Sequence, residues 1–267
     1  MKIITDYLQI QELENKYKHK ETISNNYLMS NQYETLIANG ELAVMEYYSN
    51  CFLFMEKCVG KRIYYYINNL EEQADFSQYK DLVIEILFRG NVPDNIVNYF
   101  SVCGFRINLI RDQYAAMYKD LSENRSIEGG YKVKKADCLD EVRTACELFN
   151  NSFDHLSGDF ITESDYEELM SENSIIIALA SDTNHFLGAL HTKMEGKVVV
   201  LGHVAVVEEA RGRGVGKALV DAFVEWHKET DKTRYQLWVQ RQNKAAVNMY
   251  LDKGFRYVNK STISLIK

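Results

Sequence analysis

Proline is almost missing from this chain: Pro93 is the single example in 267 residues, and glycine numbers only 14. That excludes collagen-like and Pro/Gly-rich low-complexity architectures, so a cluster of glycines marks a place where the backbone needs them. No apolar run reaches the roughly 18 residues that a membrane span needs, and no membrane partner is expected. The opening MKIITDYLQIQELENKYKHK has no apolar block behind its lysine, which excludes an ordinary secretory signal. The five cysteines, Cys51, Cys58, Cys103, Cys138 and Cys146, contain no CxxC pair. No Cys/His set has zinc spacing either, so no metal site is expected, and reduced thiols in a cytoplasmic protein are the plain reading. There is no long Lys/Arg run, and the net charge is −7. A general nucleic-acid binder would show a basic face, so none is expected, whereas a cationic amine partner is compatible with this balance. What is present is a hydrophobic content of 46%, ordinary for a globular protein, in a length that suits one large or two modest domains.

The polar stretch SENRSIEGG near residues 122–130 reads as a linker. Behind it, YKVKKA alternates as a short strand, and Leu139, Val142, Ala145, Cys146 and Phe149 recur at helical spacing. TESDYEELM reads as a second helix, with Thr162 as N-cap and Asp165 three residues on. SIIIALAS, HFLGALHTKME and KVVVLGHVAVV read as an antiparallel meander, with turns at Asp182-Thr183-Asn184 and Glu195-Gly196. A helix over 214–229 follows, with Val215, Leu219, Ala222, Phe223 and Trp226 on one stripe. RYQLWVQ, AAVNMYLDK, GFRYVNK and STISLIK then read as strand, helix and two closing strands.

The N-terminal half contains helices near residues 5–18 and 30–39, several strands, and a helix around Asp94–Val102 behind Pro93. An echo links the halves. DLVIEILFRGNVPDNIVNYFSVCGFRI and RYQLWVQRQNKAAVNMYLDKGFRYV share strand, polar turn, helix, aromatic and Gly-Phe, with Phe100 before Gly104-Phe105 as Tyr250 stands before Gly254-Phe255. Strand–helix–Gly–strand also recurs by chance in α/β proteins. The N-terminal half has no glycine-rich loop.

The sharpest feature is HVAVVEEARGRGVGKALVDAF (203–223), a strand that enters a glycine-rich turn opening a helix. Gly212, Gly214 and Gly216 allow φ > 0 and close approach, and the unsatisfied N–H groups at the helix start make an anion site with the helix dipole. Arg211, Arg213 and Lys217 add positive charge suited to a pyrophosphate. A nucleotide-triphosphatase P-loop is excluded, because Arg211 stands where its first glycine belongs and Ala218 replaces its hydroxyl. The dinucleotide fingerprint fits poorly, since Lys217 stands where it needs glycine and an antiparallel meander precedes the loop.

The remaining pattern, Arg211-x-x-Gly214-x-Gly216 behind Val204-Ala205-Val206, resembles the acetyl-CoA loop of the GNAT superfamily of N-acyltransferases. Asn243 through Tyr250, then Gly254-Phe255, is similar to that family's second signature segment. The similarity covers about residues 131–267. It implies an α+β fold of two GNAT-like halves, each a central mixed, mostly antiparallel sheet flanked by helices. Residues 1–125 would be a degenerate domain and residues 126–267 the catalytic one. It also implies transfer of an acetyl or short acyl group from acetyl-CoA to a primary amine, on a small molecule or a peptide, by direct attack. In this family a backbone N–H of the splayed fourth strand, here Val204–Val206, holds the thioester carbonyl, and Gly202 would permit a local bulge there. The cofactor contacts implied are Val204, Ala205, Val206, Arg211, Gly212, Arg213, Gly214, Val215, Gly216, Lys217, Asn243, Ala246 and Tyr250. Tyr250 corresponds to the general acid that protonates the leaving thiolate, though from the residues alone a core aromatic beside Gly254-Phe255 is the favoured reading. Asn243 is a cofactor contact, a helix N-cap, or both.

The base is open. Leu237-Trp238-Val239-Gln240 carries no acid where some relatives have glutamate, which leaves His203, His191 or a water relay. The acids Asp154, Asp159, Glu163, Asp165, Glu167 and Glu168 either attract a cationic acceptor or are solvated helix carboxylates. The tyrosines at 47, 48 and 64–66 either wall a pocket or pack as ordinary strand residues. A non-catalytic acyl-CoA-binding or protein-interaction module on the same fold is the rival, and an N-terminal half without a cofactor loop would serve as a partner surface or the edge of a homodimer.

Overall fold

The structure, a computed structural model, describes residues 1–122, 130–158, 160–230 and 233–267. The expected linker falls mainly on residues 123–129, outside the described residues. The first ten elements are β1 (Lys2–Ile3), α1 (Tyr7–Tyr17), β2 (Ile23–Ser24), α2 (Ser30–Ala38), β3 (Leu42–Tyr47), β4 (Asn50–Glu56), β5 (Lys61–Ile67), β6 (Leu82–Phe88), α3 (Asp94–Val102) and β7 (Arg106–Met117). They are followed by β8 (Tyr131–Lys135), α4 (Leu139–Ser152), α5 (Tyr166–Ser171), β9 (Ile175–Ala180), β10 (Phe186–Glu195) and β11 (Val198–Val206). The last are α6 (Val215–Trp226), β12 (Arg234–Gln240), α7 (Lys244–Lys253) and β13 (Arg256–Ile266).

These elements form two compact units that are not contiguous in sequence. One comprises Met1–Ile110, His155–Asp159 and Lys260–Lys267, and the other Arg111–Asp154 and Phe160–Asn259. In the first unit the strands run β1-β3-β4-β5-β6, and the end of β13 lies beside β6, from Ser261 opposite Phe88 to Ile266 opposite Val83. In the second they run β8-β9-β10-β11-β12, and the end of β7 lies beside β12, from Arg111 opposite Gln240 to Met117 opposite Arg234. Each mostly antiparallel sheet is thus completed by a strand from the other half of the sequence.

Period-two alternation sorts side chains to the two faces of each sheet. In β4, Phe52 and Phe54 join the core under α3, while Cys51 and Leu53 join the core under α1 and α2. In β9, Ile176 and Ala178 face α6, while Ile175, Ile177 and Leu179 face α4 and α5. The same rule separates the tyrosines: Tyr65 is buried on the α3 face, Tyr66 on the α1 face, and Tyr48 is exposed. They do not form one pocket wall.

The echo is structural. α3 and α7 both end on a left-handed glycine, Gly104 (φ 92°) and Gly254 (φ 113°). The N–H of Phe105 then returns to the Phe100 carbonyl at 2.9 Å, and that of Phe255 to the Tyr250 carbonyl at 3.0 Å. Each unit also has one short parallel pairing, β5 with β6 at Lys61–Arg62 and β11 with β12 at Val198–Leu201. In the first unit, the gap beyond that pairing is filled by the chain itself. β2 pairs with Tyr66 and Ile67, and buried Asn25 donates to the Ile63 and Glu85 carbonyls (3.1 and 3.0 Å) and accepts from the Tyr65 N–H (2.8 Å).

Two expectations need correction. The two closing strands are one strand, β13, in which Asn259 adopts φ 53°. Asparagine tolerates that conformation, and the residues after it pair with β6 instead of folding back. The helix expected to run to Glu229 ends at Trp226, which is 40% exposed and leaves the apolar stripe. His227 closes its last turn by donating from Nδ1 to the Phe223 carbonyl at 2.9 Å.

Candidate active site

β11 supplies the backbone of the site. Its antiparallel register with β10 runs from Val198 to Leu201 and resumes from His203 to Val206, leaving Gly202 without a partner. This is a β-bulge, at the glycine where one is expected. The parallel register with β12 ends at Leu201 opposite Leu237. Beyond it, Val204, Ala205 and Val206 pair only with β10, at Leu190, Ala189 and Gly188, among the described residues. One edge of this segment is therefore open, with alternate backbone donors and acceptors facing a gap, and an extended ligand carrying amides could pair there as an added strand.

The glycine loop follows. Glu208–Ala210 forms a 3-10 turn, and Arg211 folds back so that its Nε donates to the Val206 carbonyl at 3.2 Å. Gly212 (φ 76°) and Gly214 (φ 86°) take left-handed conformations, and Gly214 is the N-cap of α6. The first intrahelical bond runs from the Ala218 N–H to the Gly214 carbonyl, 3.0 Å. Among the described residues, the N–H groups of Val215, Gly216 and Lys217 meet no protein acceptor. Three converging amides at the positive end of a 12-residue helix suit a diphosphate. Gly216 has ordinary room, since a Cβ there would lie 3.6 Å from Val206. Arg213 is exposed and Lys217 half-buried.

α7 supplies the remaining residues. Asn243 is its N-cap, with Oδ1 accepting from the Ala246 N–H at 3.1 Å, so that amide is already satisfied. Tyr250 is 3% exposed, in the core layer with Val215, Leu219 and Leu237. It meets Phe255 edge-on at 5.9 Å, and burial pushes its phenol well above the ordinary range, so it stays protonated. The turn before α7 carries a contact the sequence did not reveal. Arg241 Nε and Nη2 grip Asp112 of β7 at 2.9 and 2.6 Å, and 129 positions separate the partners. Nothing local announces that pair.

The two candidate histidines come together. His191 and His203 are directly opposite on β10 and β11, with Nδ1 atoms 3.5 Å apart and rings parallel within 5°. The acids Glu163, Glu167 and Glu168 lie exposed around the start of α5, where Asp165 accepts from the Thr162 N–H at 2.7 Å. Asp159 lies outside the described residues. Asp137, Cys138 and Glu141 lie close enough to share an ion, but Lys134 already contacts both carboxylates, at 2.8 and 2.7 Å. A cleft of about 460 Å³, lined by Lys132, Lys134, Glu141, Thr144, Leu179 and Phe186, draws no wall from β11, α6 or α7.

Residues 142–255 match the acetyltransferase (GNAT) family. Most of that stretch lies in the second unit, which is therefore similar to a GNAT acetyltransferase domain. An uncharacterized N-acetyltransferase of Methanocaldococcus jannaschii is 32% identical over 73 residues, which cover 27% of this chain and 32% of that protein. The chain thus spans about a third of the length of this curated relative. The GNAT fold extends further than the sequence match. A GCN5-related N-acetyltransferase from Sphaerobacter thermophilus superposes with a TM-score of 0.60 at 14% identity, over 82% of this chain and 76% of its own. A tandem GNAT protein from the clavulanic acid biosynthesis pathway gives 0.56 at 11% identity, over 82% and 78%. Both likenesses are of fold alone. Among the described residues, no helix is long and apolar enough to cross a membrane.

Proposed function

We propose that the protein transfers an acetyl or other short acyl group from acyl-coenzyme A to a primary amine, by direct attack through a tetrahedral intermediate. One observation carries the reading: the open edge of Val204–Val206 runs into a helix start whose Val215, Gly216 and Lys217 amides meet no protein acceptor among the described residues. The helix start suits the diphosphate and the strand edge suits the pantetheine amides. Backbone N–H groups on that edge would hold the thioester oxygen, where negative charge develops. Tyr250, protonated at neutral pH, is the proton donor to the departing thiolate.

Residues 1–125, which supply most of the first unit, are on this reading a degenerate repeat. The shared strand order and helix–Gly–Phe turn support it, and Asn25 occupies the gap where its counterpart is open.

The test combines calorimetry with coenzyme A and a thiol-release assay with acetyl-CoA. The amine panel is spermidine, lysine, glucosamine and a peptide with a free N-terminus. Amine-dependent thiol release establishes the transfer. The burial of Tyr250 favours the rival, a binding module without turnover. Saturable binding with no release from any amine would establish that instead, and no binding at millimolar coenzyme A removes both.

A further inference from the structure

The bulge at Gly202 changes which face of the sheet His203 occupies. In an unbroken strand Leu201 and His203 would share a face. Leu201 instead lies in the core under α6, and His203 lies on the α4 face, stacked on Phe149 at 5.4 Å and beside Phe153 at 5.0 Å. Ala205 and Ala189 occupy the same face, and so does His191, two residues from Ala189 on β10. One extra residue in β11 therefore creates the pair. Gly202 also leaves the space for it, because a Cβ there would sit 3.1 Å from His191 Nδ1.

We propose that His191 and His203 form a two-imidazole base for the transfer. His203 borders the open-edged segment of β11 and meets the acceptor. His191, buried at 4% exposure, acts through it as a positioning residue. This rests on the acyltransferase reading and supplies the proton acceptor that Leu237–Gln240 lacks. Two imidazoles at 3.5 Å can share one proton but resist carrying two.

In the balanced transfer, the acceptor ammonium gives one proton to His203. The freed lone pair forms the N–C bond, and the C–S bond breaks with its electrons on sulfur. Tyr250 protonates that thiolate, the second proton of the attacking nitrogen returns to the Tyr250 oxygen through water, and the imidazole pair releases its proton to solvent.

Charged groups act on the neutral side chains packed on this face: Asp165 and Glu147 on Cys146, and Glu163, Glu147 and Arg143 on Tyr166. Burial pushes the Cys146 thiol of α4 up to about 12 and raises the Tyr166 phenol of α5. Ile175 of β9 faces His191 across the strand pair. Asp154, just beyond α4, is the acid nearest in sequence to Phe153. Across the sheet His227 accepts a hydrogen bond at Nε2 from Thr192, 3.2 Å, and burial holds its pKa below the ordinary value.

The experiment compares wild type, His203→Gln and His191→Gln in the full chain, with acetyl-CoA and the most active amine of the panel. His203→Gln should lower kcat about 100-fold and abolish the acidic limb of the pH–rate profile, with coenzyme A affinity unchanged. His191→Gln should lower kcat less and move that limb, which a merely structural residue would not do. An intact limb with kcat within twofold in His203→Gln overturns the proposal. Imidazole nitrogen NMR of the acetyl-CoA-bound wild type gives a reading that needs no acceptor. One proton taken up by the pair between about pH 5 and 8 supports the base, and none refutes it. Failure of thiol release in the wild type with every amine removes the acyltransferase reading, whatever the NMR shows.

Discussion

At residue scale, the site depends on what Gly214 permits. Its φ of 86° admits a side chain only with strain of roughly 1–2 kcal/mol, and it starts the helix whose amides stand open. Gly214→Glu adds that strain and places a carboxylate where a diphosphate is expected. Calorimetry should show loss of coenzyme A binding in a variant with a wild-type circular dichroism spectrum, and retained affinity would mean that the anion binds elsewhere. Tyr250 makes a different prediction. Tyr250→Phe removes only the hydroxyl of a buried ring, so it should preserve the packing on Phe255. kcat should fall about 100-fold while coenzyme A affinity stays within twofold. Equal turnover would leave Tyr250 as a core aromatic only.

At element scale, α6 and α7 carry the glycine loop and the proposed proton donor, and a buried ion pair links them. Lys253 Nζ lies 2.6 Å from Asp221 Oδ1, at side-chain exposures of 4% and 13%, and donates to the Ser122 carbonyl at 3.0 Å. Among the described residues Asp221 Oδ1 accepts no well-aligned hydrogen bond, so the attraction is mainly coulombic. Removing one partner strands a buried charge. Lys253→Met should cost about 3–5 kcal/mol in urea unfolding, and Lys253→Met with Asp221→Leu should recover most of it. A single-variant cost below about 1 kcal/mol would mean that water already solvates the pair. The Arg241 grip on Asp112 acts on the turn before α7 in the same way, holding Asn243 and its helix in register with β7.

At the scale of the whole molecule, two units share one strand order, and their gaps are treated differently. In the second, the divergence of β11 from β12 leaves an open edge. In the first, Asn25 spends its amide on both flanking strands, and no glycine loop accompanies β5. Coenzyme A should therefore bind with a stoichiometry of one per chain, measured by calorimetry. Two equivalent sites would show that the Asn25 plug opens, and that the degenerate reading of the first unit is wrong.

The sequence by itself determined what is local. Left-handed glycines, the Asn243 cap, the Gly-Phe return after each helix and the three-strand meander all follow from backbone chemistry over a few residues. The same holds for Gly202, where a glycine inside an apolar strand marks a bulge. Its consequence is not local, because the face that His203 occupies depends on its register against β10, and only that register sets its imidazole 3.5 Å from His191. Tertiary structure alone decided that Asn25 would close the β5–β6 gap and that Arg241 would find Asp112. It also decided that β13 would continue past Asn259 to complete the first unit. These contacts join residues tens to hundreds of positions apart, and no periodicity or spacing along the chain encodes which distant backbone a strand edge will meet.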